Sequence, residues 1–480
     1  MTETSFFWHD YETFGRVPRR DRPSQFAGVR TDAELNEIDA PVMRYCQPAP
    51  DFLPEPEACL LTGILPQTCL AQGLPEHEFA AMVESQLAKP GTIGVGYNSI
   101  RFDDEVTRHL FWRNLIDPYE REYKNECGRW DLLDVVRAAW SLRPEGIVWP
   151  TGEDGRVSFK LELLSQANGL AHAAAHDALS DVRATVALAR LIRQRQPRLW
   201  DFCLRLRRKE AVQQEMVKAQ SEGRPFLHVS GMYGVERGCL AIAWPLATHP
   251  TNKNEVIVWD LREDPSGLIE LGVEEMRQRL FGKSDELPEG VARLPIKTIH
   301  LNKSPIVISS LATLGDRAVQ WGIDIDQNLR HADIAAQHAP RLAGMWPAVY
   351  ERPPREGAAD VDEDLYGGFV GNGDRRTLQR LSRMDGARLA AARPAFADAR
   401  LGELFFRYRA RNFPDTLSDA ERLQWREHCA HRLHDGAGGA LTIAAFLEQI
   451  DALGVAADER GQEILGALID YATQIAPEID

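Results

Sequence analysis

The sequence predicts an α/β protein in which a mixed sheet flanked by helices is followed by a small β-rich domain and an α-helical C-terminal domain. Patterns typical of strand, turn and helix repeat through the first 195 residues. Between 226 and 310, short β-like runs are separated by Gly, Asn and Pro. Beyond 377, Ala, Leu, Arg and Glu recur at helical spacing. With Pro197 after the last early helix and a Pro- and Gly-containing stretch at 353–373, these changes predict domains at 1–195, 196–351 and 352–480.

The composition is that of a globular protein with more than one core. The chain has 480 residues, of which 44% are hydrophobic and 26% are charged. No stretch approaches the roughly 20 apolar residues of a membrane span, and the polar N-terminus does not resemble a secretory signal. Seven cysteines form no CxxC pair, which favours free thiols over disulfides or a zinc site. We therefore expect a cytoplasmic protein with no membrane partner.

The charge is unevenly distributed along the chain. A net charge of -15 argues against a nucleic-acid partner only if the charges are evenly spread. The stretch 190–209 instead contains seven Arg and one Lys against a single acid, Asp201. An acidic protein can therefore still carry a basic groove. A solvated helix face is the alternative explanation for this stretch.

The elements can be predicted in chain order from periodicity and turn residues. An apolar strand ends near residue 13, and the helix 131–142 has apolar side chains at positions 132, 133, 135, 136 and 139. The other predicted early elements are strands at 25–31, 41–46 and 92–97, a helix that includes 75–83, and a helix at 178–193. The later β-like runs are 226–229, 239–244, 255–259 and 306–310.

Two acids separated by one residue follow the first apolar run. Alternate side chains of a strand point to the same face, so Asp10 and Glu12 lie side by side if this segment is a strand. Neighbouring carboxylates repel, and either protonation or a hard divalent cation relieves the repulsion. The pair therefore indicates a Mg²⁺ site. An edge strand with an acidic polar face is the alternative for this pair taken alone.

Three further residues complete a recognisable constellation. Asp103 follows a predicted strand, and His176 precedes Asp181 by five positions at the start of a predicted helix. In this order, the set resembles the DEDDh 3′–5′ exonucleases of the RNase H-like fold. Phosphodiester hydrolysis needs stabilisation of an attacking hydroxide and a leaving alkoxide, which two divalent ions about 3.5–4 Å apart provide.

The resemblance implies a role for each residue of the set. Asp10, Glu12 and Asp181 would bind two Mg²⁺ ions directly, and Asp103 would complete the shell through water. Mn²⁺ would substitute for Mg²⁺ because both prefer oxygen ligands. His176 would accept the proton of the attacking water as general base.

Further motifs narrow the resemblance and extend it over nearly the whole chain. They are similar to the bacterial exodeoxyribonuclease I family at 9–15 (HDYETFG), 97–105 (YNSIRFDDE), 129–134 (RWDLLD), 142–146 (LRPEG), 228–234 (HVSGMYG), 302–305 (NKSP) and 405–414 (FFRYRARNFP). The resemblance implies an RNase H-like exonuclease domain, an SH3-like β-rich domain and a helical C-terminal domain. It also implies a monomer that releases 5′-mononucleotides from single-stranded DNA with a free 3′ end in repair and recombination, and a partner, the acidic C-terminal tail of single-stranded DNA-binding protein.

The resemblance also implies contacts to the DNA. Where the family usually has Arg after a Phe, this chain has Lys160 after Phe159, which keeps the charge but loses the bidentate phosphate geometry. Bases stack on aromatic rings while cations follow phosphates. The other candidates for substrate contact are Glu12, Arg108, Arg113, Tyr119, Tyr123, Arg137, Arg143 and Lys303. A packing role is the alternative for each cation and aromatic residue, and packing is favoured for the Arg–aromatic run at 405–414.

Two other functions are alternatives to this interpretation of the sequence. A ribonuclease or proofreading exonuclease of the same superfamily would share the five catalytic residues but not the two additional domains with their motifs. A catalytically inactive DNA-binding scaffold would not require all five residues. A panel of end-labelled single- and double-stranded DNA and RNA would separate these possibilities.

Overall fold

The strands and helices of the first part of the chain occur in the predicted alternation. The computed structural model describes residues 4–170, 178–352 and 359–477. Up to residue 131 the elements are β1 (Ser5–Thr13), β2 (Pro23–Thr31), β3 (Val42–Tyr45), α1 (Pro56–Thr62), α2 (Pro66–Gln72), α3 (Glu76–Leu87), β4 (Thr92–Gly96), α4 (Asp103–Arg113) and β5 (Gly128–Asp131).

The middle of the chain contains more helix than the sequence predicted. Its elements are α5 (Leu132–Leu142), α6 (Leu161–Ala167), α7 (Ala178–Arg195), α8 (Pro197–Arg205), α9 (Lys209–Ser221), β6 (Phe226–Val229), β7 (Leu240–Thr248), β8 (Glu255–Asp260), α10 (Val273–Phe281), β9 (Ile296–His300), β10 (Ile306–Ile308), α11 (Arg317–Gln320), α12 (Ile325–Leu342) and α13 (Trp346–Val349). The four predicted β runs are all strands. Strand β9 and helix α12, which packs on β7, were not predicted.

The C-terminal part is helical, as predicted. Its α-helices are α14 (Asn372–Leu381), α15 (Gly386–Ala391), α16 (Arg400–Asn412), α17 (Asp419–Leu433), α18 (Ile443–Gly454) and α19 (Glu459–Ile475). Ser418 begins α17 with a reciprocal capping box, in which its side chain accepts from the Glu421 N–H and its own N–H donates to Glu421. Among the described helices, none combines the length and apolar character that a membrane crossing requires.

The first sheet is mixed and has β1 at its centre. The strand order is β3-β2-β1-β4-β5, with β2 antiparallel and β4 parallel to β1. Phe6, Phe7 and Trp8 are all buried because both faces of this central strand are covered. The second sheet has the order β10-β6-β7-β8-β9 and is antiparallel throughout. The predicted fold class, a mixed-sheet domain, an SH3-like domain and a helical domain, is confirmed.

The chain divides into two compact units, and neither is a continuous segment. One unit is drawn from the ranges 1–128, 172–186 and 357–480, and the other from 129–171 and 187–356. In the first unit, Phe52 and Cys59 pack in one apolar cluster with Phe446 and Leu468. The helical C-terminal part thus completes the core of the N-terminal part. The predicted domain boundaries, which divide the chain into 1–195, 196–351 and 352–480, stay predictions.

A buried network of ion pairs also crosses the first unit. Asp51 is fully buried and accepts a hydrogen bond from Arg411 Nη2 at 2.7 Å, and Arg432 Nε lies 3.6 Å from the same carboxylate. Arg411 also pairs with Asp362. Burial alone would raise the pKa of Asp51, but Arg411, His428 and Arg432 outweigh it and hold that pKa well below its usual value. The alternating Arg residues of 405–414 therefore hold the structure together, which supports the packing alternative.

Replacing Arg411 by Met is expected to destabilise the protein severely. The substitution leaves Asp51 and Asp362 buried without their principal cation, which costs about 3–5 kcal/mol for a broken buried pair. Urea unfolding at neutral pH measures the decrease in the free energy of unfolding. Arg422→Met is the matched control, because Arg422 is half exposed and, within the described part of the chain, pairs only with the exposed Asp419. An equal loss in the two variants would contradict the assigned role of the network.

The same network predicts how stability depends on pH. Since the pKa of Asp51 is lowered by folding, the stability it contributes is complete above the unfolded pKa of about 4 and is lost as the pH falls below that value. In Arg411→Met the carboxylate loses its main stabilising charge. We therefore expect the stability difference between Arg411→Met and wild type to shrink as the pH is lowered from about 5 to 3, measured by unfolding at each pH. A pH-independent difference would rule out this electrostatic explanation.

Candidate active site

Strand β1 brings the first two acids to one face. Asp10 and Glu12 are half-buried, whereas the alternating His9 and Tyr11 are buried on the opposite face. This alternation is the period-two geometry of a strand. The prediction that Asp10 and Glu12 lie side by side is confirmed.

Helix α7 supplies the third acid from its first turn. The N–H of Ala178, the first residue of α7, donates to Gln25 Oε1 at 3.2 Å. Gln25 lies on β2 directly opposite Glu12 of β1. This amide therefore ties the start of the helix that carries Asp181 to the strand pair that carries Glu12. Sequence reasoning missed Gln25, for which the only signal was an amide beside the apolar run at 26–29 of the predicted strand.

The three acids form a compact oxygen-donor cluster. One carboxylate oxygen from each of Asp10, Glu12 and Asp181 lies within 4.8 Å of the others. Carboxylate oxygens at this spacing suit hard divalent cations such as Mg²⁺ and Mn²⁺. The residues present therefore fit the predicted metal, and they leave part of its coordination sphere to water or substrate oxygens.

Asp103 lies beside this cluster but is oriented by the backbone. It is the first residue of α4, is 3% exposed, and its Oδ1 accepts from the Tyr11 N–H at 3.1 Å. In the turn before α4, Ser99 lies so close to the backbone of Gly96 that a Cβ on Gly96 would be only 2.6 Å from the Ser99 Cβ. The expected role of Asp103, completing the metal shell through water, stays a prediction.

Crowding of these acids changes their protonation. Burial raises the pKa of Asp10 well above its usual value, and the neighbouring charges of Asp103, Glu12 and Asp181 raise it further. Without a cation the cluster therefore tends to retain a proton. A bound divalent ion would displace that proton and remove the repulsion among the carboxylates.

A second layer behind the sheet fixes the acids in place. Arg121 is buried and donates to Asp104 Oδ1 at 2.6 Å, next to Asp103. Thr107 Oγ1 lies 3.0 Å from the Tyr11 hydroxyl and 2.9 Å from the Asp103 carbonyl oxygen. Burial, followed by the charge of Arg121, lowers the pKa of His9 to about 4, so this ring is neutral near pH 7. These contacts fix the first turn of α4, which carries Asp103, against the part of β1 that carries Asp10.

The predicted general base is not placed by the structure. His176 lies outside the described residues, as does the rest of 171–177. Its role as base remains a prediction. Asp181, five positions later, is described and belongs to the cluster.

Several candidates for DNA contact are engaged in packing. Arg108 is 6% exposed and binds Glu122 through Nε and Nη2 at 2.8 and 2.9 Å. Its guanidinium also lies over the Tyr119 ring, 5.2 Å from the centroid. Arg113 is 2% exposed and donates to Glu76. These placements favour the packing alternative for Arg108 and Arg113.

Other candidates are accessible. Lys160 is exposed immediately before α6, and the half-buried Phe159 makes an edge contact with Trp149 at 6.3 Å. Tyr123 is 63% exposed. The exposed Arg143 donates one hydrogen bond to the carbonyl oxygen of Thr313 at 3.1 Å.

The last two candidates are held by neighbours within the second unit. Arg137 donates to Asp134 at 2.7 Å and lies against Gly231, the first of the two glycines of the motif at 228–234. Lys303 is half-buried within the motif at 302–305. The structure thus leaves both packing and DNA contact open for these two cations.

Comparison with known proteins gives a match to a family model for each of three successive parts of the chain. Residues 7–189 match the family model described as Exonuclease, 207–352 match the Exonuclease I SH3-like domain, and 359–475 match the Exonuclease I C-terminal domain. Exodeoxyribonuclease I of Escherichia coli (strain K12) is 43% identical over 427 residues, which cover 89% of each chain.

Solved structures agree with this relationship. An Exonuclease I from Methylocaldum szegediense has a TM-score of 0.93 and 46% identity, covering 98% of this chain and 99% of that chain. Exonuclease I of E. coli, solved in complex with a dA16 oligonucleotide, also has a TM-score of 0.93, with 40% identity over 99% of this chain and 100% of that chain. With the carboxylate cluster in place on the exonuclease sheet, the chain belongs to the exodeoxyribonuclease I family.

Proposed function

We propose that the protein degrades single-stranded DNA from its 3′ end and releases 5′-mononucleotides. The observation that carries the proposal is the cluster of Asp10, Glu12 and Asp181 in a chain that matches exodeoxyribonuclease I over all three domains. The dA16 complex of the E. coli relative supports DNA as the substrate. The two additional domains argue against a ribonuclease or a proofreading exonuclease.

Asp10, Glu12 and Asp181 would hold two divalent cations, Mg²⁺ in the cell or Mn²⁺ in its place. The E. coli enzyme has been solved in a zinc-ion-bound form of its complex with single-stranded DNA, which supports a metal site in the family. When bound, a pair of divalent cations stabilises both the attacking and the leaving oxygen of the phosphodiester. Asp103 would orient the assembly through its hydrogen bond with the Tyr11 N–H.

The proton of the attacking water must be removed during hydrolysis. His176, five residues before Asp181, would accept it, since a neutral imidazole is a competent base near pH 7. The raised pKa of Asp10 reflects the acid cluster without cations. Asp10 would therefore act as a metal ligand and not as the base.

Retention of the strand would rely on cations and aromatic rings. Lys160, Phe159, Arg143 and Tyr123 are the candidates that the structure leaves accessible, and we propose them as DNA contacts together with Arg137 and Lys303. A protein that moves along a strand needs many weak phosphate and stacking contacts. Arg108, Arg113 and Tyr119 would instead hold the structure on which these contacts depend.

Partner, assembly and cellular role are also proposals. A similar solved structure, SSB/Exonuclease I in complex with an inhibitor, supports single-stranded DNA-binding protein as the partner. We propose that the acidic C-terminal tail of that protein makes the contact. We propose a cytoplasmic monomer that acts in DNA repair and recombination.

A substrate panel tests the proposed function directly. Single- and double-stranded DNA and RNA carrying a label at the 5′ end are incubated with protein and Mg²⁺. Progressive shortening of single-stranded DNA alone, with release of 5′-mononucleotides, is the expected result. Cleavage confined to RNA, or shortening from the 5′ end, would contradict the proposal.

Substituting any direct ligand should abolish cleavage while DNA binding persists. Asp10→Asn, Glu12→Gln and Asp181→Asn remove a charge that the cations require. They leave the proposed contacts at Lys160, Arg143 and Tyr123 intact, although Glu12→Gln also changes a candidate for substrate contact. Cleavage rate, strand binding by fluorescence anisotropy, and the rise in Tm on adding Mg²⁺ are measured together. Asp419→Asn, at an exposed acid far along the chain, is the control. A ligand variant that keeps more than about a tenth of the wild-type rate at saturating Mg²⁺ would refute the two-cation assignment.

Loss of the base should slow the reaction without preventing metal binding. His176→Ala is expected to reduce the single-turnover rate by about 10²–10⁴. The wild-type rate should rise with pH through the titration of a histidine, at about pH 6–7, whereas the variant should lose that step. His431→Ala, at an exposed histidine of α17, serves as control. If the pH profile were the same with and without His176, this residue would have no place in the mechanism.

A further inference from the structure

Gln25 is a buried amide on the face of the first sheet that carries the carboxylate cluster. It is 3% exposed and lies directly opposite Glu12 in the antiparallel pair of β1 and β2. Directly paired residues of an antiparallel ladder point to the same face of the sheet, so Gln25 and Glu12 share that face. Burying an amide is costly unless it is hydrogen-bonded. The partner of the Gln25 side chain therefore indicates what this amide does.

The backbone of Gln25 is fixed on both sides. At this residue, β2 pairs with Glu12 of β1 and with Tyr45 of β3. The regular pairing of β1 with β2 ends here, since the register shifts between Glu12 and Thr13. Gln25 is thus a firmly held support at the point where the ladder that carries Glu12 stops.

The side-chain oxygen of Gln25 holds the start of helix α7. Its Oε1 accepts from the Ala178 N–H at 3.2 Å, and Ala178 is fully buried. A backbone N–H can only donate, so the oxygen of the Gln25 amide, and not its nitrogen, must face the helix. The first N–H groups of a helix have no acceptor within that helix. Without the Gln25 oxygen, this buried N–H would lack an acceptor unless the start of the helix moved.

The contact between Gln25 and Ala178 bears on the position of Asp181. Ala178 and Asp181 are three residues apart in α7 and therefore lie on the same side of that helix. One oxygen of Asp181 lies within 4.8 Å of oxygens of Asp10 and Glu12. The spacing between the Glu12 and Asp181 carboxylates thus depends on a link from β1 through Gln25 to α7. Mg²⁺ tolerates little change in this spacing, because it requires near-octahedral geometry with oxygens at about 2.0–2.1 Å.

We propose that Gln25 is a positioning residue of the metal site, whose hydrogen bond with Ala178 sets the spacing of Glu12 and Asp181 at which divalent cations bind. Gln25 acts through the helix that carries Asp181 and not by contact with a cation. This inference rests on the proposed function, since it requires the three clustered acids to be cation ligands. Removing a residue that orients a metal ligand typically costs about 10–100-fold in metal affinity or activity.

The experiment measures the binding of Mn²⁺ to the full-length protein without DNA, by titration followed with electron paramagnetic resonance. Gln25→Met retains the approximate size of the side chain but removes the amide oxygen, so the Kd for Mn²⁺ should rise by about 10–100-fold. Gln25→Glu retains an acceptor oxygen for the Ala178 N–H and should bind Mn²⁺ at least as tightly as wild type. Binding of single-stranded DNA in EDTA, measured by fluorescence anisotropy, should be the same in Gln25→Met as in wild type.

Asn412→Leu is the matched control. The Asn412 Oδ1 accepts from the N–H of His77, in the first turn of α3, at 3.2 Å. This amide also holds the start of a helix, but neither α3 nor α16, which carries Asn412, contributes an acid to the cluster. Both Asn412→Leu and Gln25→Met should lower the Tm, because each leaves an N–H without its acceptor. Only Gln25→Met should weaken the binding of Mn²⁺.

A Kd for Mn²⁺ that Gln25→Met leaves unchanged, or that Asn412→Leu raises equally, would overturn the positioning role. Equally weak binding by Gln25→Glu would also overturn it, because the acceptor oxygen would then not be what matters. If circular dichroism shows that Gln25→Met is unfolded, Gln25→Ala is measured in its place with the same expected result. Failure of the wild-type protein to bind Mn²⁺ would instead contradict the proposed function, so the two failures are distinguishable.

Discussion

Mutual repulsion among carboxylates is the constraint on which this structure depends. Asp10, Glu12 and Asp181 bring oxygens within 4.8 Å of one another, and Asp103 adds a further acid nearby. Such an arrangement is unfavourable unless a proton or a cation relieves it. The fold holds the acids together through the central position of β1, the Gln25 contact at the start of α7, and the Asp103 contact with Tyr11. The fold thus holds the carboxylates in an arrangement that favours the binding of divalent cations.

That scaffold is not confined to the N-terminal part of the chain. Asp51 is buried among Arg411, His428 and Arg432, all of which come from the helical C-terminal part. An isolated 1–195 segment would leave Asp51 without these partners and would expose the apolar cluster around Phe52. The C-terminal helices are therefore a structural requirement of the first unit. This dependence explains why the compact units do not coincide with continuous segments of sequence.

Local patterns in the sequence were sufficient for the features that depend on local structure. The shared face of Asp10 and Glu12 follows from the period of a strand, and the α7 position of Asp181 follows from helical spacing. Features that depend on distant partners could not be predicted. Arg108 and Arg113 are cations of the kind that contacts DNA phosphates, yet in the structure they form ion pairs with Glu122 and Glu76.

Locating the cations directly tests whether Asp10, Glu12 and Asp181 form a metal site. Crystals of the protein with a non-hydrolysable single-stranded oligonucleotide are soaked in Mn²⁺, and anomalous difference maps are calculated for wild type and Asp181→Asn. We expect two Mn²⁺ peaks in wild type, about 3.5–4 Å apart and bounded by Asp10, Glu12 and Asp181, with at least one peak lost in the variant. Maps without a peak at this cluster, or with a peak that Asp181→Asn leaves unchanged, would contradict the assignment.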